Sequence, residues 1–414
     1  MENLKKQHIK QLIVERLDLT RDITDEEILK TIDEEILKNE SCNDLCVWQK
    51  LELQKEIFHS IRGLDVLQEL VERKDITEIM INGYQDIFVE QAGRIKRWPK
   101  QFSSKEKLED VVQQIVSKAN RVVNEASPIV DARLEDGSRV NVVLPPVALD
   151  GATITIRKFP EKPMDMEQLI ANGAISKEAS EFLEKLVRAR VNVFVSGGTG
   201  AGKTTLLNIL SNYIPSDERI ITIEDSAELQ ITKIDNLVRL ETRNANVEGS
   251  NAVTIRDLIK SSLRMRPDRI IVGEVRDGAA LDMLSALNTG HDGSLSTGHA
   301  NSPEDMLARL ETLVLMSGLE LPLLAVRRQI ASAIEIIVHL GRLRDKSRKI
   351  LKIEEVLDLK DGNIETQTLY EFVETGEDEN GKVLGKLMPT GNRMLQVEKL
   401  HRAGICLSEY KEAG

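Results

Sequence analysis

The sequence predicts an α/β chain: a domain built on a sheet with a parallel core, preceded by a smaller α+β domain and an N-terminal helical segment. Three observations predict it. From about residue 176, short apolar β-branched runs alternate with helical stretches, as in a parallel sheet covered by helices. A glycine-rich loop, Gly197-Gly198-Thr199-Gly200-Ala201-Gly202-Lys203-Thr204, separates one such run from a helix. Between 61 and 158, strands, hairpin turns and two helices follow one another without that alternation. The expected boundaries are a helical segment over 1–60, an α+β domain over 61–158, a linker over 159–175, the α/β domain over 176–373 and a polar tail over 374–414.

At 414 residues the chain has room for two or three domains, and 41% apolar with 30% charged residues is a globular balance. Aromatics are 3% and the net charge is −12, which argues against base-stacking platforms and against direct nucleic-acid binding. Met1-Glu2-Asn3-Leu4-Lys5-Lys6 leads into a mixed polar helix and not an apolar signal core. No apolar run approaches the ~20 residues of a membrane span, so a membrane role would act through partners. The three cysteines, Cys42, Cys46 and Cys406, are an odd, sparse set that suits a reducing compartment. Cys42 and Cys46 are spaced to share a helix face, but no second Cys or His pair stands nearby to make a metal site.

The first 60 residues repeat Glu, Lys, Leu and Ile as solvated helices do. Ile61 to Val71 continues as a helix. Ile76 to Ile81 is a strand ending at Asn82-Gly83. Asp86 to Glu90 and Arg94 to Trp98 flank Gln91-Ala92-Gly93 as a hairpin. Ser104 caps a helix to Ala119. Val130 to Val143 folds about an Asp-Gly turn, and Ala152 to Arg157 closes the domain as a strand. Pro160 and Pro163 stiffen the boundary. A helix (Ser176–Ala189) then leads to the strand Val191–Val195. Further strands are read at Arg219–Ile223, Leu237–Leu240, Arg269–Glu274, Gly293–Thr297, Ile334–Leu340, Ile350–Leu359 and Ile364–Phe372. Helices are read at Val253–Met265 and Asp277–Asn288, and another starts at the Ser302-Pro303 cap.

The glycine loop has the form G-x-x-x-x-G-K-[ST], the P-loop, in the strand–loop–helix context that motif requires. Its glycines let backbone N–H groups converge on one anion, and the helix start adds positive charge. Lys203 would reach the β- and γ-phosphates of a nucleoside triphosphate, and the Thr204 hydroxyl would face Mg²⁺, with Thr205 next to it. Hydrolysis also needs acids and cationic closure. Glu274 ends an apolar strand, as a Walker B acid does, and is the first candidate to orient water and assist Mg²⁺. Glu224, in Glu224-Asp225-Ser226-Ala227-Glu228, is the second carboxylate. His291 and His299 bracket another strand. Either could contact phosphate, and satisfied structural histidines fit the spacing equally. Arg239, Arg243, Arg133, Arg139 and Arg157 are each a candidate arginine finger across a domain or subunit contact. Each taken alone fits a surface ion pair as well.

Together these residues resemble the type II/IV secretion-system traffic ATPases over roughly 61 to 340, most closely the CpaF-like ATPases of Flp/Tad pilus assembly. The boxes are Ser196 to Thr205, Ile221 to Leu229 (the Asp box), Arg264 to Arg276 (Walker B) and Thr289 to Asn301 (the His box). Thr77 to Gly83 and Ser127 to Arg133 match in the smaller domain. The resemblance implies a RecA-like P-loop ATPase domain and a homohexamer, peripheral at the cytoplasmic face of the bacterial inner membrane. It would drive platform membrane proteins of a pilus or secretion system. The resemblance places His299 near the γ-phosphate and makes Glu274 the catalytic carboxylate. A less basic Asn120 to Glu125 weakens any finger role for Arg121, and the missing tetracysteine insert argues against the general secretory branch. A type IV secretion or conjugation ATPase is the second reading and a RecA-like DNA translocase the third.

Overall fold

The computed structural model describes residues 23–39, 42–91, 93–119, 121–159, 163–243 and 252–407, with Ile9, Leu12, Ile13 and Arg16. The helix start expected over Met1–Lys6 and the boundary residues Pro160, Glu161 and Lys162 lie outside the described residues. So do Ala92 of the hairpin turn, Asn120 and residues 408–414. The chain divides into two compact units, Met1–Glu161 and Lys162–Gly414.

In the first unit, α1 (Asp25–Lys38) starts at a capping box in which Thr24 and Glu27 exchange hydrogen bonds. Ile28, Ile32 and Ile36 recur every four residues and are buried on one face. They cluster with Ile57 of α2 (Val47–Ile61), with Ile23 and with Cys42. Cys42 precedes α2 and is buried, whereas Cys46 is its exposed N-cap residue, so the two share no helix face. The helix expected over Ile61–Val71 is split. Asp65, at φ 55°, turns the chain before α3 (Val66–Glu72).

The sheet of this unit comprises β1 (Ile76–Asn82), β2 (Asp86–Gln91), β3 (Arg94–Arg97), β4 (Ile129–Arg133), β5 (Arg139–Val143) and β6 (Thr153–Arg157). Its order is β3-β2-β1-β6-β5-β4, antiparallel throughout. Alternation gives it one apolar face, with Ile79, Val89, Val142 and Ile154 packed with Leu108, Val112 and Ile115 of α4 (Lys105–Lys118). Ser104 caps α4 through Lys107 N.

The second unit holds a nine-stranded sheet. Its parallel part comprises β7 (Val193–Gly197), β8 (Ile220–Glu224), β9 (Leu237–Glu241), β10 (Arg269–Val272), β11 (Leu295–Gly298) and β12 (Ile336–Arg342). Strands β13 (Arg348–Lys360), β14 (Asn363–Glu377) and β15 (Val383–Pro389) extend it antiparallel beyond β12, in the order β15-β14-β13-β12-β7-β11-β10-β8-β9. Every residue of β7, β8, β10 and β11 is buried, which is why they read as unbroken apolar runs. One apolar layer holds α5 (Met166–Ala171), α6 (Lys177–Arg188) and α7 (Lys203–Ser211). The other holds α8 (Ile255–Ser262), α9 (Ala279–Leu287), α10 (Pro303–Leu315) and α11 (Leu323–Ala333).

Two stretches are more regular than the sequence suggests. The expected linker contains α5, capped by Asp165 through Gln168 N. The expected tail completes β14, forms β15 and ends in α12 (Glu398–Arg402). Its polarity reflects a hairpin with one open face, while Val383, Leu387, Met394 and Leu400 are buried. Fully buried Glu355 on β13 anchors this segment by accepting from the N–H groups of Leu395 and Gln396. Among the described residues, no helix is long and apolar enough to cross a membrane.

Candidate active site

The carboxyl ends of β7, β8, β10 and β11 open at one edge of the parallel sheet, the edge where such sheets bind ligands. The loop leaving β7 is shaped by glycine. Gly197 has φ 154°, and a Cβ there would lie 2.4 Å from the Leu340 carbonyl oxygen. Gly200 and Gly202 have φ 71° and 99°, conformations an L side chain resists. Gly198, Thr199 and Gly200 are exposed, Ala201 is buried, and added Cβ atoms at Gly198 and Gly200 would meet nothing. The loop is therefore an open cradle of backbone at the start of α7.

Lys203 begins α7 and is only 7% exposed. Its Nζ donates to Gly198 O at 3.0 Å and lies 3.2 Å from His299 Nδ1. His299 follows β11, and its Nε2 lies 3.0 Å from Glu274 Oε1. Glu274 follows β10 and accepts from Arg276 at 2.7 Å. Thr297 Oγ1 donates to Gly273 O at 2.6 Å, fastening the Glu274 loop to β11. Thus Lys203, His299 and Glu274 form one cluster at the mouth of the glycine loop. Burial lowers the Lys203 pKa, against the pull of Glu274. Burial likewise lowers that of His299, again opposed by Glu274, so the imidazole is neutral near pH 7. Hydrogen bonding to Glu274 raises that of Arg276.

Glu224 ends β8, 3% exposed, with its side chain packed on Gly273. Its Oε1 accepts from the N–H groups of Glu228 and Leu229 at 2.8 and 3.0 Å. Burial raises its pKa against those bonds and against Arg239. Arg239 lies on β9, the edge strand beside β8. Arg243 stands one residue beyond Thr242, whose N–H binds Glu224 O at 3.0 Å. At ~4.8 Å per strand, β9 lies about 19 Å across the sheet from β7, too far for either arginine to reach its own glycine loop.

His291 is not brought to the loop. It precedes β11, at the opposite edge from His299, and its Nδ1 pairs with Ala286 O at 3.1 Å. Its neighbours Gly293 and Ser294 donate to Asn192, which precedes β7. Parallel strands carry their amino ends to the same edge, so a phosphate contact from His291 is excluded within this unit. Arg133, Arg139 and Arg157 belong to the first unit. Register pairs Arg133 with Arg139 and Arg139 with Arg157, so three cations form one row on one face of that sheet.

The residues present fit a nucleotide phosphate: open glycine backbone, a helix start and a partly desolvated ammonium converge. A divalent cation also has oxygens to meet. Thr204 is half-buried in the first turn of α7. Glu274 Oε1 and Glu224 Oε2 are buried with no aligned hydrogen-bond partner. Among the described residues no group of three or more His, Cys, Asp or Glu could hold a metal, so phosphate and water oxygens would complete a Mg²⁺ shell.

Two contributors escaped the sequence reading. Arg276 closes the Walker B box two residues after Glu274, and the sequence reading gave it no role of its own. His339 lies on β12 amid apolar residues and bonds Ser196 Oγ at 2.8 Å, a contact that depends on strand order.

A parallel sheet with a strand–glycine loop–helix turn and an acid following another strand of the same parallel sheet defines a P-loop ATPase. The family model of the Type II/IV secretion system protein matches residues 61–383, and the chain belongs to that family. A Mycobacterium tuberculosis protein bearing a conjugal-transfer name is 36% identical over 316 residues, covering 75% of this chain and 89% of the relative. The type IV secretion system protein VirB11 of Bartonella quintana is 29% identical over 319 residues, covering 68% and 89%. Among solved structures, the pilus retraction motor PilT with bound ADP superposes with a TM-score of 0.53 at 18% identity, covering 82% of this chain and 87% of that one. That likeness speaks to the fold, which is the RecA-like P-loop arrangement with a preceding domain.

Proposed function

We propose that the chain is the ATP-hydrolysing motor of a type IV secretion or conjugation system, working as a homohexamer peripheral to the cytoplasmic face of the inner membrane and passing its motion to membrane platform proteins. The cluster of Lys203, His299 and Glu274 at the glycine loop carries the reading. The conjugal-transfer and type IV secretion names of the relatives support that system over Flp/Tad pilus assembly, and with it the second of the sequence readings.

In this reading the amides of Gly198 to Lys203 hold the terminal phosphates, and Lys203 leaves Gly198 O and His299 to pair with them. Thr204, with Glu274 and Glu224 as the acids nearby, would hold Mg²⁺, which supplies neutralisation of phosphate charge. Glu274 orients the attacking water and accepts its proton at a carboxylate oxygen. Neutral His299, 3.0 Å from Glu274 on one side and facing Lys203 on the other, reports phosphate occupancy to the acid. Cationic closure would come from a neighbouring subunit, with Arg239, Arg243 and the Arg133–Arg139–Arg157 row as its candidates.

The test is ATP turnover per chain of the full-length protein as its concentration is raised, with particle size measured alongside. Turnover that climbs as hexamers assemble supports a site completed between subunits. Full turnover by a monomer refutes the ring.

A further inference from the structure

The backbone around Glu274 is clamped on both sides. Gly273 N–H donates to Ile223 O at 2.8 Å, Gly273 O accepts from Thr297 Oγ1 at 2.6 Å, and Val275 N–H donates to Thr297 O at 3.1 Å. Gly273 itself leaves no room for a side chain, since a Cβ there would stand 2.9 Å from Glu224 Cγ. The Cα of Glu274 is therefore held in place. The carboxylate is not held by that alone. A glutamate side chain turns about several bonds, and rotation about the last of them exchanges its two oxygens.

Arg276 removes that freedom. Its Nη2 donates to Glu274 Oε2 at 2.7 Å. Oε1 is then the oxygen left over: it is buried, has no aligned hydrogen-bond partner and lies 3.0 Å from His299 Nε2. The far side of the guanidinium is steered as well. Nη1 lies 3.7 Å from Oδ2 of Asp225, the residue that follows β8. Asp225 is tied in turn to the chain beyond β9, because Thr242 Oγ1 donates to its carbonyl at 3.1 Å. An ion pair between two exposed side chains contributes little. This pair is lopsided: the Glu274 side chain is 17% exposed and the arginine 59%. The carboxylate has given up most of its water and depends on the arginine for compensation, whereas the arginine keeps its own hydration.

We propose that Arg276 is a positioning residue for hydrolysis: it holds Oε2 of Glu274 so that Oε1 is the oxygen presented to the attacking water, and Asp225 aims the arginine from the end of the neighbouring strand. The inference rests on the reading of Glu274 as the base beside a phosphate loop. Arg276 acts on the acid and not on the phosphates. Its loss leaves the glycine loop and Lys203 as they are, so turnover falls while nucleotide stays bound.

The experiment is steady-state ATP turnover and ADP binding by the full chain, comparing wild type, Arg276→Met, Arg276→Lys and Asp225→Asn. Arg276→Met should lower kcat at least ~10-fold with KM and ADP affinity within ~3-fold, the pattern of an interaction that serves the chemical step alone. Arg276→Lys keeps one charge-assisted donor and should fall between that variant and wild type. Asp225→Asn should cost kcat ~2- to 5-fold, and less than ~2-fold in an Arg276→Met background, because it acts through the arginine. Arg276→Met should likewise cost less than ~2-fold in a Glu274→Gln background. A full loss in that background would mean that the arginine acts on the phosphates themselves, and it overturns the proposal. So does a kcat for Arg276→Met within ~2-fold of wild type, or a loss seen in KM and not in kcat. A wild type that binds no ADP, or a Glu274→Gln variant that turns over like wild type, would instead sink the underlying reading of the site, and the role of Arg276 with it.

Discussion

Replacing Lys203 with methionine is expected to leave the nucleotide-free protein as stable as before while removing most of its response to ADP. In the free site the Lys203 ammonium is nearly buried and keeps a carbonyl and a neutral imidazole as its hydrogen-bonding neighbours. Burial lowers its pKa, so at neutral pH the folded state carries a penalty for the charge, relieved only as pH rises toward the unfolded value. Methionine removes that penalty together with the bond to Gly198 O, and the two offset to within about 1 kcal/mol. Binding behaves differently. A charge-assisted hydrogen bond to phosphate contributes about 1.5–3 kcal/mol, so its loss weakens ADP binding roughly 10- to 150-fold. At ADP near 100 times the wild-type Kd, ligand stabilisation is about 2.7 kcal/mol, or ~5–11 °C in Tm for a domain of this size. In the variant the same ADP concentration gives about 0.3–1.4 kcal/mol. Thermal melts of both proteins with and without ADP read all four numbers. A variant that keeps the wild-type shift, or that loses several kcal/mol without nucleotide, would show that Lys203 is a structural lysine.

Gly197→Ala should abolish the ADP shift, because its Cβ would stand 2.4 Å from Leu340 O at φ 154° and force the loop away from β12; a normal shift would mean the loop adapts freely. Glu218→Gln should destabilise the protein by about 3–5 kcal/mol in urea unfolding, since it leaves the fully buried Arg269 without its counter-charge. ADP affinity should stay within ~2-fold, because that pair lies at the amino edge of the sheet. The raised pKa of Glu224 means that its stability contribution is full below about pH 4.5 and is lost as pH rises through the folded value. Wild type should therefore lose ground to Glu224→Gln between pH 4.5 and 8 in denaturant titrations, and a flat difference would contradict its burial as a charge.

Local chemistry made much of this legible. The glycine loop, the Ser104 and Ser302 caps and the apolar strands are short-range signals, and each appears where its residues predict. The two acids at strand ends follow from sheet geometry once the strands are known. The Lys203–His299–Glu274 cluster depends on strand order, with β11 lying between β7 and β10. His291 was misplaced for the same reason: periodicity finds a strand but does not tell which end faces the loop. Asn192 and Arg269 escaped because a buried polar residue looks like an exposed one until its partners are known. The hairpin ending in β15 escaped because one of its faces is open, which lowers the apolar count that marks a strand.

The central claim is that Glu274 performs hydrolysis in a site where Lys203 and the glycine loop only bind. The measurement that tests it most directly is ATP binding and turnover by Glu274→Gln beside wild type, at a concentration where wild type turns over. ATP affinity is expected within ~3-fold of wild type and turnover lowered at least ~100-fold. Turnover near the wild-type rate in that variant would mean that Glu274 is not the base and would assign that role to Glu224.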